Sequence, residues 1–457
     1  VPPLNPLAAL WAATATVAAP GVRLMLRFRL LRGKEVAGRL AERRGIDHTP
    51  RPPGALIWLH AASVGETMSI LPVLPVLAEA VPDATILLTT GTVTSASLLA
   101  QHLGAGHLGA GLKRRVLHRF VPIDVPAWAA RFLDHWRPDA VGFVESELWP
   151  NLLAACQARG IPVMLINGRL SDRSLARWRR VSGLARHVVR GLARVHARSE
   201  TDAERLRELG CRCVMAPGDL KLAAPPLPAD ETELQRLHVL FDGRPVWLAA
   251  STHPGEETLI LGVHRTLVAA HPRLLTIIAP RHPERGAAIA EEAGGVAVAR
   301  RSKGDGPPGD GPSGDGPPGD GPPADGPPAA GAGVWIVDTL GELGLWYRLS
   351  RIAFVGRSLL PPGGGQNPLE PARLGCAIAV GPHVGNFTDH VAMLRAAEGL
   401  SVVEDATELT RWVDGLLRDP ARRQAMGDAA AAALQPHSDL PRRTAAALVD
   451  MLPAGPG

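Results

Sequence analysis

The sequence predicts an α/β protein of two doubly wound parallel sheets, and three observations predict it. Apolar runs of strand length recur from Ala55 onward, amphipathic stretches separate them, and the rhythm breaks at a proline-rich stretch before it restarts. Apolar runs without polar alternation are what a sheet covered on both faces requires. At 457 residues, with 46% hydrophobic and 20% charged side chains, the chain is long enough for two domains with separate cores.

The first element is the apolar run LAALWAATATVAAPGV, residues 7–22, followed by a basic segment. Between Gly21 and Gly45 stand Arg23, Arg27, Arg29, Arg32, Lys34, Arg39, Arg43 and Arg44 against Glu35 and Glu42. That local charge, 8 − 2 = +6, exceeds the +5 of the whole chain, so the remainder is close to neutral. The apolar run falls short of the roughly 20 residues of a comfortable membrane span. Its positive charge follows rather than precedes it, the reverse of a secretory signal. This order suits an N-terminal anchor over residues 1–45, spanning or lying at the interface, with its basic flank on lipid headgroups. The alternative is a core helix followed by a solvated one. The basic stretch lacks interleaved stacking aromatics, which argues against nucleic acid as a partner.

A first domain, residues 46–222, carries predicted strands at 55–60, 85–90, 139–144, 161–166 and 194–199. PGDLKLAAPPLPAD (217–230) reads as the linker. A second domain, residues 223–457, carries strands at 244–251, 274–280, 333–338, 351–356 and 376–381. Loops at the carboxyl ends of these strands are expected to wall a cleft between the domains. Residues 304–328, GDGPPGDGPSGDGPPGDGPPADGPP, form an imperfect five-residue repeat without the period of collagen, read as a disordered surface insertion. Cys156, Cys211, Cys213 and Cys376 are too few and too scattered for a disulfide framework or a zinc site. They read as buried reduced thiols, with Cys211 and Cys213 on one face of a strand.

Chemistry-bearing residues gather where strands end. In WLHAASVGE, Ser63 and Glu66 satisfy the capping-box pattern, so Glu66 has a purely structural reading. Gly65 before it suggests close approach of another group. A carboxylate beside a helix N-terminus is expected to stay ionised, and there it could accept a proton from a hydroxyl nucleophile. Glu145 and Glu147, in ESELWP, follow another strand; alternation would point both the same way, with Pro150 opening the next helix. They read either as such a pair or as a solvated loop.

The second half offers cations and amides instead. AASTHPGEE places Ser251 at a strand-to-loop junction, and in APRHPER Arg281, His282 and Arg285 could surround an anion. PPGGGQNPLEPARLG puts Gly364, Gly365 and Asn367 before a helix near Pro368, a backbone able to curl around a phosphate. Glu370, in that helix's first turn, could hold ribose hydroxyls. No metal-ligand spacing occurs, and no cofactor is expected.

The division of carboxylates in one half and donors in the other resembles glycosyltransferases of the GT-B architecture, with two facing Rossmann-like domains. More closely, the chain resembles the Kdo transferases, which move 3-deoxy-D-manno-octulosonic acid (Kdo) from CMP-Kdo onto a lipid A precursor. The resemblance is carried by RLAERRG, WLHAASVGE, LTTGTVTSA, FVPIDVPAWAARFLDHWRPDAVGFVESELWPNLL, INGRLSDRS, GDLKL, APRHPER and GGGQNPLEPA, in that order. It implies an inverting enzyme of lipopolysaccharide synthesis at the cytoplasmic face of the inner membrane, with CMP-Kdo, a lipid A precursor such as lipid IVA, and membrane lipids as partners. Glu66 would be the general base, with Glu145 or Glu147 orienting substrate or supporting it. Arg281, His282, Asn367 and Glu370 match the family's nucleotide side, and Lys221 matches a lysine at the interdomain cleft, set to meet phosphate or the sugar carboxylate. Gln366 stands where the family commonly has histidine, so a protonated imidazole has no counterpart there. The GDGPP-rich insertion lies outside the family pattern. Another GT-B enzyme, with a different nucleotide sugar or acceptor, and a membrane-tethered binding module on the same fold are the alternatives.

Overall fold

The computed structural model describes residues 5–104, 110–241, 243–308 and 331–453. They form two compact units, one of the described residues up to Ala224 together with those from His437 onward, the other Pro225–Pro436.

Among the described residues the first unit is built on a seven-stranded sheet in the order β3-β2-β1-β4-β5-β6-β7. Its strands are β1 (Leu56–Ala61), β2 (Thr85–Thr90), β3 (Val116–Phe120), β4 (Ala140–Val144), β5 (Val163–Gly168), β6 (Leu192–Ala197) and β7 (Val214–Met215). All pair in parallel, so each connection crosses back over a face and a helix covers it. That is why β1, β4 and β5 are buried along their whole length. The chain runs outward from β1 through β2 to β3, then returns to β4 on the other side of β1. The gap between the carboxyl ends of β1 and β4 is therefore the topological switch point, where such sheets bind ligands.

The second unit repeats the plan in the order β10-β11-β9-β8-β12-β13-β14. Its strands are β8 (Val246–Thr252), β9 (Leu275–Pro280), β10 (Val298–Arg300), β11 (Gly333–Ile336), β12 (Ile352–Val355), β13 (Ala377–Val380) and β14 (Leu400–Val402). Its switch point lies between β8 and β12.

Several expectations change. The second unit does not include residues 437–457: the helix Leu440–Val449 returns to the first unit and packs on the helix Val73–Ala80, with Leu440 and Leu448 in that core. An amphipathic helix carries no mark of which sheet it covers. Cys211 and Cys213 share no face, because β7 begins only at Val214; Cys211 is buried and Cys213 exposed. Burial pushes the thiols of Cys156, Cys211 and Cys376 up to about 12.

The N-terminal helix, Pro6–Leu31, is longer than its apolar run and continues through Arg23, Arg27 and Arg29. Asn5 starts it, accepting from the N–H groups of Leu7 and Ala8 and donating 2.7 Å to the carbonyl of Gly183. Its 26 residues reach about 39 Å at 1.5 Å per residue. Of its large apolar side chains Leu26 is buried, whereas Val17 and Leu31 are more than 80% exposed. The basic flank does not all face outward. Glu35 pairs with Arg29 at 2.8 Å and with the buried Arg43 at 2.9 Å, and Arg39 pairs with Glu42 at 2.8 Å. The guanidinium groups of Arg39 and Arg43 lie 4.5 and 4.6 Å from the Phe120 ring. These three cations brace the first unit.

Of the GDGPP-rich insertion, residues 304–308 are described and 309–328 lie outside the described residues. Its flanks meet at one side chain: Arg244 Nη2 donates to the carbonyls of both Pro308 (2.8 Å) and Gly331 (2.9 Å).

Candidate active site

At the first switch point, β1 turns through Ala62 and Ser63 into the helix Val64–Ile70. Ser63 caps it, its Oγ accepting from the Glu66 N–H at 3.3 Å. The Glu66 carboxylate closes the box: Oε1 accepts from Ser63 Oγ at 2.8 Å, and Oε2 accepts from the Ala62 N–H at 2.7 Å. The capping box therefore forms, and it places Glu66 at the sheet's ligand end. Gly65 is not crowded by protein, since a Cβ there would meet nothing within 4 Å. The helix dipole does not hold Glu66 low as expected. Burial and the Glu147 charge raise its pKa above the ordinary carboxylate value, against the bonds from Ser63 and Ala62.

Glu145 and Glu147 do not point alike. β4 ends at Val144, and Glu145 takes a left-handed conformation with φ of 60°, which breaks the alternation. Its Oε1 accepts from Lys221 Nζ at 2.7 Å. Glu147 turns to β1: its Oε2 lies 3.4 Å from His60 Nε2 and accepts from the Trp149 indole N–H. Burial pushes the Glu147 carboxyl up, but His60 and Trp149 outweigh it and hold it below the ordinary range. Pro150 opens the next helix, Pro150–Ala158, as expected. Its first N–H groups are held by Asp124, which accepts from Asn151 (3.2 Å) and Leu152 (2.8 Å) and also from the Trp11 indole of the N-terminal helix (3.2 Å). Lys221, which the resemblance sets at the interdomain cleft to meet phosphate or the sugar carboxylate, belongs to the first unit, where its ammonium pairs with Glu145 at 2.7 Å.

In the second unit a cavity of about 230 Å³ opens at the carboxyl ends of β8 and β9, lined by Ser251, Arg281, Trp346, Gln366, Asn367 and Glu370 among others. Asn367 organises one wall: Oδ1 accepts from the Leu369 N–H and Nδ2 donates to Glu370 Oε1, each at 3.1 Å. Burial raises the Glu370 pKa, opposed by Asn367, Arg373 and Arg281. The other basic residues of APRHPER do not gather with Arg281 in the wall. His282 lies edge-on to the His253 ring at 5.6 Å, and Arg285 pairs with Glu257 (3.4 Å) and Glu292 (3.6 Å).

Gly364 and Gly365 do not present free N–H groups to a phosphate. Their N–H groups donate to the carbonyls of His383 (2.9 Å) and Arg357 (2.7 Å), and that of Gln366 donates to Gly356 (3.2 Å). Positive φ angles at Gly363, Gly364 and Gly365 let this loop pack on residues 383–386, where a Cβ on Gly364 would come within 2.8 Å of Asn386. Gln366 instead meets His253, nitrogen to nitrogen, at 3.1 Å.

Two buried polar side chains at these sheet ends escaped the sequence reading. His60 looks like a core residue in an apolar strand. Glu256, 1% exposed, accepts from the N–H groups of His253 (3.0 Å), Arg357 (2.6 Å), Ser358 (2.9 Å) and Leu359 (3.0 Å). The protein's own carboxylate thus fills the backbone nest beyond β12 that an anion would otherwise take. The glutamate just after Gly255, at a helix start, was the available signal.

Two Rossmann-like domains with these switch points define the GT-B architecture. The fold is similar to the UDP-GlcNAc 2-epimerase from Neisseria meningitidis bound to UDP-GlcNAc (TM-score 0.54, 14% identity, 87% of this chain and 99% of that one). It is also similar to a glycosyltransferase from Rickettsia africae (TM-score 0.53, 12% identity, 88% and 99%). At these identities the likeness is one of fold. Residues 38–224 match the family described as "3-Deoxy-D-manno-octulosonic-acid transferase (kdotransferase)". The 3-deoxy-D-manno-octulosonic acid transferase of Bordetella pertussis is 36% identical over 88% of this chain and 89% of its own. The probable mitochondrial 3-deoxy-D-manno-octulosonic acid transferase of Arabidopsis thaliana is 35% identical over 88% and 86%. The chain belongs to the Kdo transferase family and is a glycosyltransferase.

Proposed function

We propose that the protein transfers Kdo from CMP-Kdo to a lipid A precursor, lipid IVA, in lipopolysaccharide synthesis, with Glu66 as general base. The observation that supports this best is a carboxylate at the β1/β4 switch point whose proton affinity is raised by burial and by Glu147. Glu66 takes the proton of a glucosamine hydroxyl as its oxygen attacks the anomeric carbon of Kdo. The bond from that carbon to the CMP phosphate breaks, and CMP leaves from the opposite face with the electron pair, inverting configuration. In this reading Arg281, Ser251 and Asn367 receive the nucleotide by side chain, because Glu256 and internal carbonyls already occupy the backbone donors nearby. Glu370 takes ribose hydroxyls, and no metal is needed.

The acceptor is a membrane lipid, and we assign the Pro6–Leu31 helix to the inner membrane's cytoplasmic face. The helix is long and apolar enough to cross a bilayer, but contacts along its length favour lying in the interface. Asn5 binds Gly183, Trp11 binds Asp124, Arg23 lies 6.0 Å from the Trp128 ring, and Leu26 is buried.

The test is transfer from freshly generated CMP-Kdo to purified lipid IVA, with products resolved by mass and EDTA in a parallel reaction. Products carrying added Kdo at a rate EDTA leaves unchanged are expected. Absence of product from folded, membrane-reconstituted protein would favour a different nucleotide sugar or acceptor.

A further inference from the structure

His60 is fully buried near the end of β1, between β2 and β4. Its ring has a polar neighbour on either side. On one side Nδ1 meets the Thr89 carbonyl at 3.1 Å and Thr89 Oγ1 at 3.0 Å. On the other, Nε2 has no hydrogen bond of standard geometry among the described residues and lies 3.4 Å from Glu147 Oε2. A polar nitrogen sealed from water without a partner is costly, so its counter-charge matters. Thr89 accommodates either ring state. Its hydroxyl can donate to Nδ1 when the imidazole is neutral, or its carbonyl can accept from Nδ1 when the ring is protonated. In both of these states Nε2 carries a hydrogen toward Glu147, whereas a neutral ring with its hydrogen on Nδ1 would set a bare lone pair against that carboxylate, which their repulsion disfavours.

We propose that His60, sealed inside the sheet, is a positioning residue that holds the Glu147 carboxylate in place at the β1/β4 switch point, from where it acts on the Glu66 carboxylate. The inference rests on Glu66 being the base. The other charges around Glu66 leave this role to Glu147. Glu145 also raises the Glu66 pKa but is paired with Lys221 at 2.7 Å and bears on Glu66 less, and Asp219, on the same turn as Lys221, is tied to Asn167 Nδ2 at 3.0 Å and to the Lys221 N–H at 2.9 Å. Glu147 carries the charge that bears most on Glu66.

Two substitutions separate the ring's halves. His60→Asn keeps a partner for Thr89 but cannot reach Glu147, whereas His60→Gln extends a donor to it. Carboxyl-13C glutamate labelling follows the Glu66 titration in the full chain, with the missing signal of Glu66→Gln giving the assignment. Glu147→Gln is expected to lower the Glu66 midpoint by about one pH unit, and His60→Asn to lower it in the same direction. His60→Gln should stay near wild type, and His60→Asn/Glu147→Gln should match Glu147→Gln alone. The acid limb of kcat/KM should move with the midpoint. An unchanged midpoint in His60→Asn, or additive shifts in the double variant, would overturn the proposal. If Glu66→Gln kept full turnover, the base assignment would fall while the titration still judged His60.

Discussion

Both units contain the same polar triad and use it differently. In the first, Trp58 donates to Thr89 Oγ1 at 2.9 Å, and that oxygen meets His60 at 3.0 Å. In the second, Trp247 donates to Thr276 Oγ1 at 2.8 Å, and that oxygen meets His264 at 2.8 Å. The imidazoles come from different elements. His264 sits on the helix Glu256–Val268, where burial, with Arg265 and Arg244 nearby, lowers its pKa to about 4, so it stays neutral inside the core. His60 sits on the strand itself, at the ligand end, and its outer nitrogen reaches a carboxylate. Moving the ring from the covering helix to the strand terminus turns a core contact into a control on the site. The sheet ends differ to match: Glu66, Glu145 and Glu147 gather at the first, while at the second Arg281, Gln366 and Asn367 join Glu370 in lining the cavity.

The largest expected effect isolates the first unit's end of this comparison. Glu66→Gln should lower turnover roughly 10²- to 10⁴-fold, the usual contribution of a general base, while CMP affinity measured by calorimetry stays at the wild-type value. Weakened CMP binding would mean that the two ends do not divide the work. Next comes the pH dependence of the second triad. His264 binds its proton near 6.5 when unfolded and near 4 when folded, so acid favours the unfolded chain. Its contribution is complete above pH 6.5 and is lost as pH falls toward 4, roughly 2–3 kcal/mol by pH 4.5. Urea unfolding of His264→Gln should show that much less loss between pH 7 and 4.5 than wild type. A smaller effect is expected at the second sheet's ligand end. Arg281→Ala should raise KM for CMP-Kdo roughly ten- to hundredfold with little change in kcat, since a hydrogen bond to a charged group is worth about 1.5–3 kcal/mol.

Much of this was legible in the chain because central parallel strands must be apolar throughout. The ten strands read from the sequence include all the central ones of both sheets. Those missed, β3, β7, β10 and β14, are sheet edges, short or, in VLHRF, mixed with polar residues. Glu66, Glu145 and Glu147 were visible as acids directly after strands. Their partners were not. Lys221 lies 76 residues beyond Glu145, and no spacing rule links the two. The glycine loop misled because its sequence matches a phosphate cradle, whereas the acceptors of its N–H groups are the carbonyls of Gly356 and Arg357, at the start of the same loop, and of His383, from the loop after β13. His60 was hidden by its neighbours, since one imidazole in WLHAAS reads the same whether it faces core or carboxylate.

The smallest expected effect tests whether the GDGPP-rich segment touches the comparison at all. The described residues stop at Pro308 and resume at Gly331, and one guanidinium nitrogen of Arg244 holds both carbonyls. β10 and β11 therefore pair in parallel across a junction already closed by the body of the protein. Closing a flexible loop costs little more as it lengthens, about 0.6 kcal/mol per doubling, so shortening the segment between these two carbonyls is expected to release little. Replacing residues 309–330 with a short glycine-serine linker should change stability by about 1 kcal/mol or less and leave kcat/KM for CMP-Kdo unchanged. Arg244→Lys in the same background should cost more than the deletion itself, because an ammonium cannot reproduce the guanidinium's fixed fork, which holds Pro308, Gly331 and the Arg273 carbonyl together. If the deletion alone lowered activity, the insertion would belong to the donor end of the molecule, and the contrast between the two sheets would have a third participant.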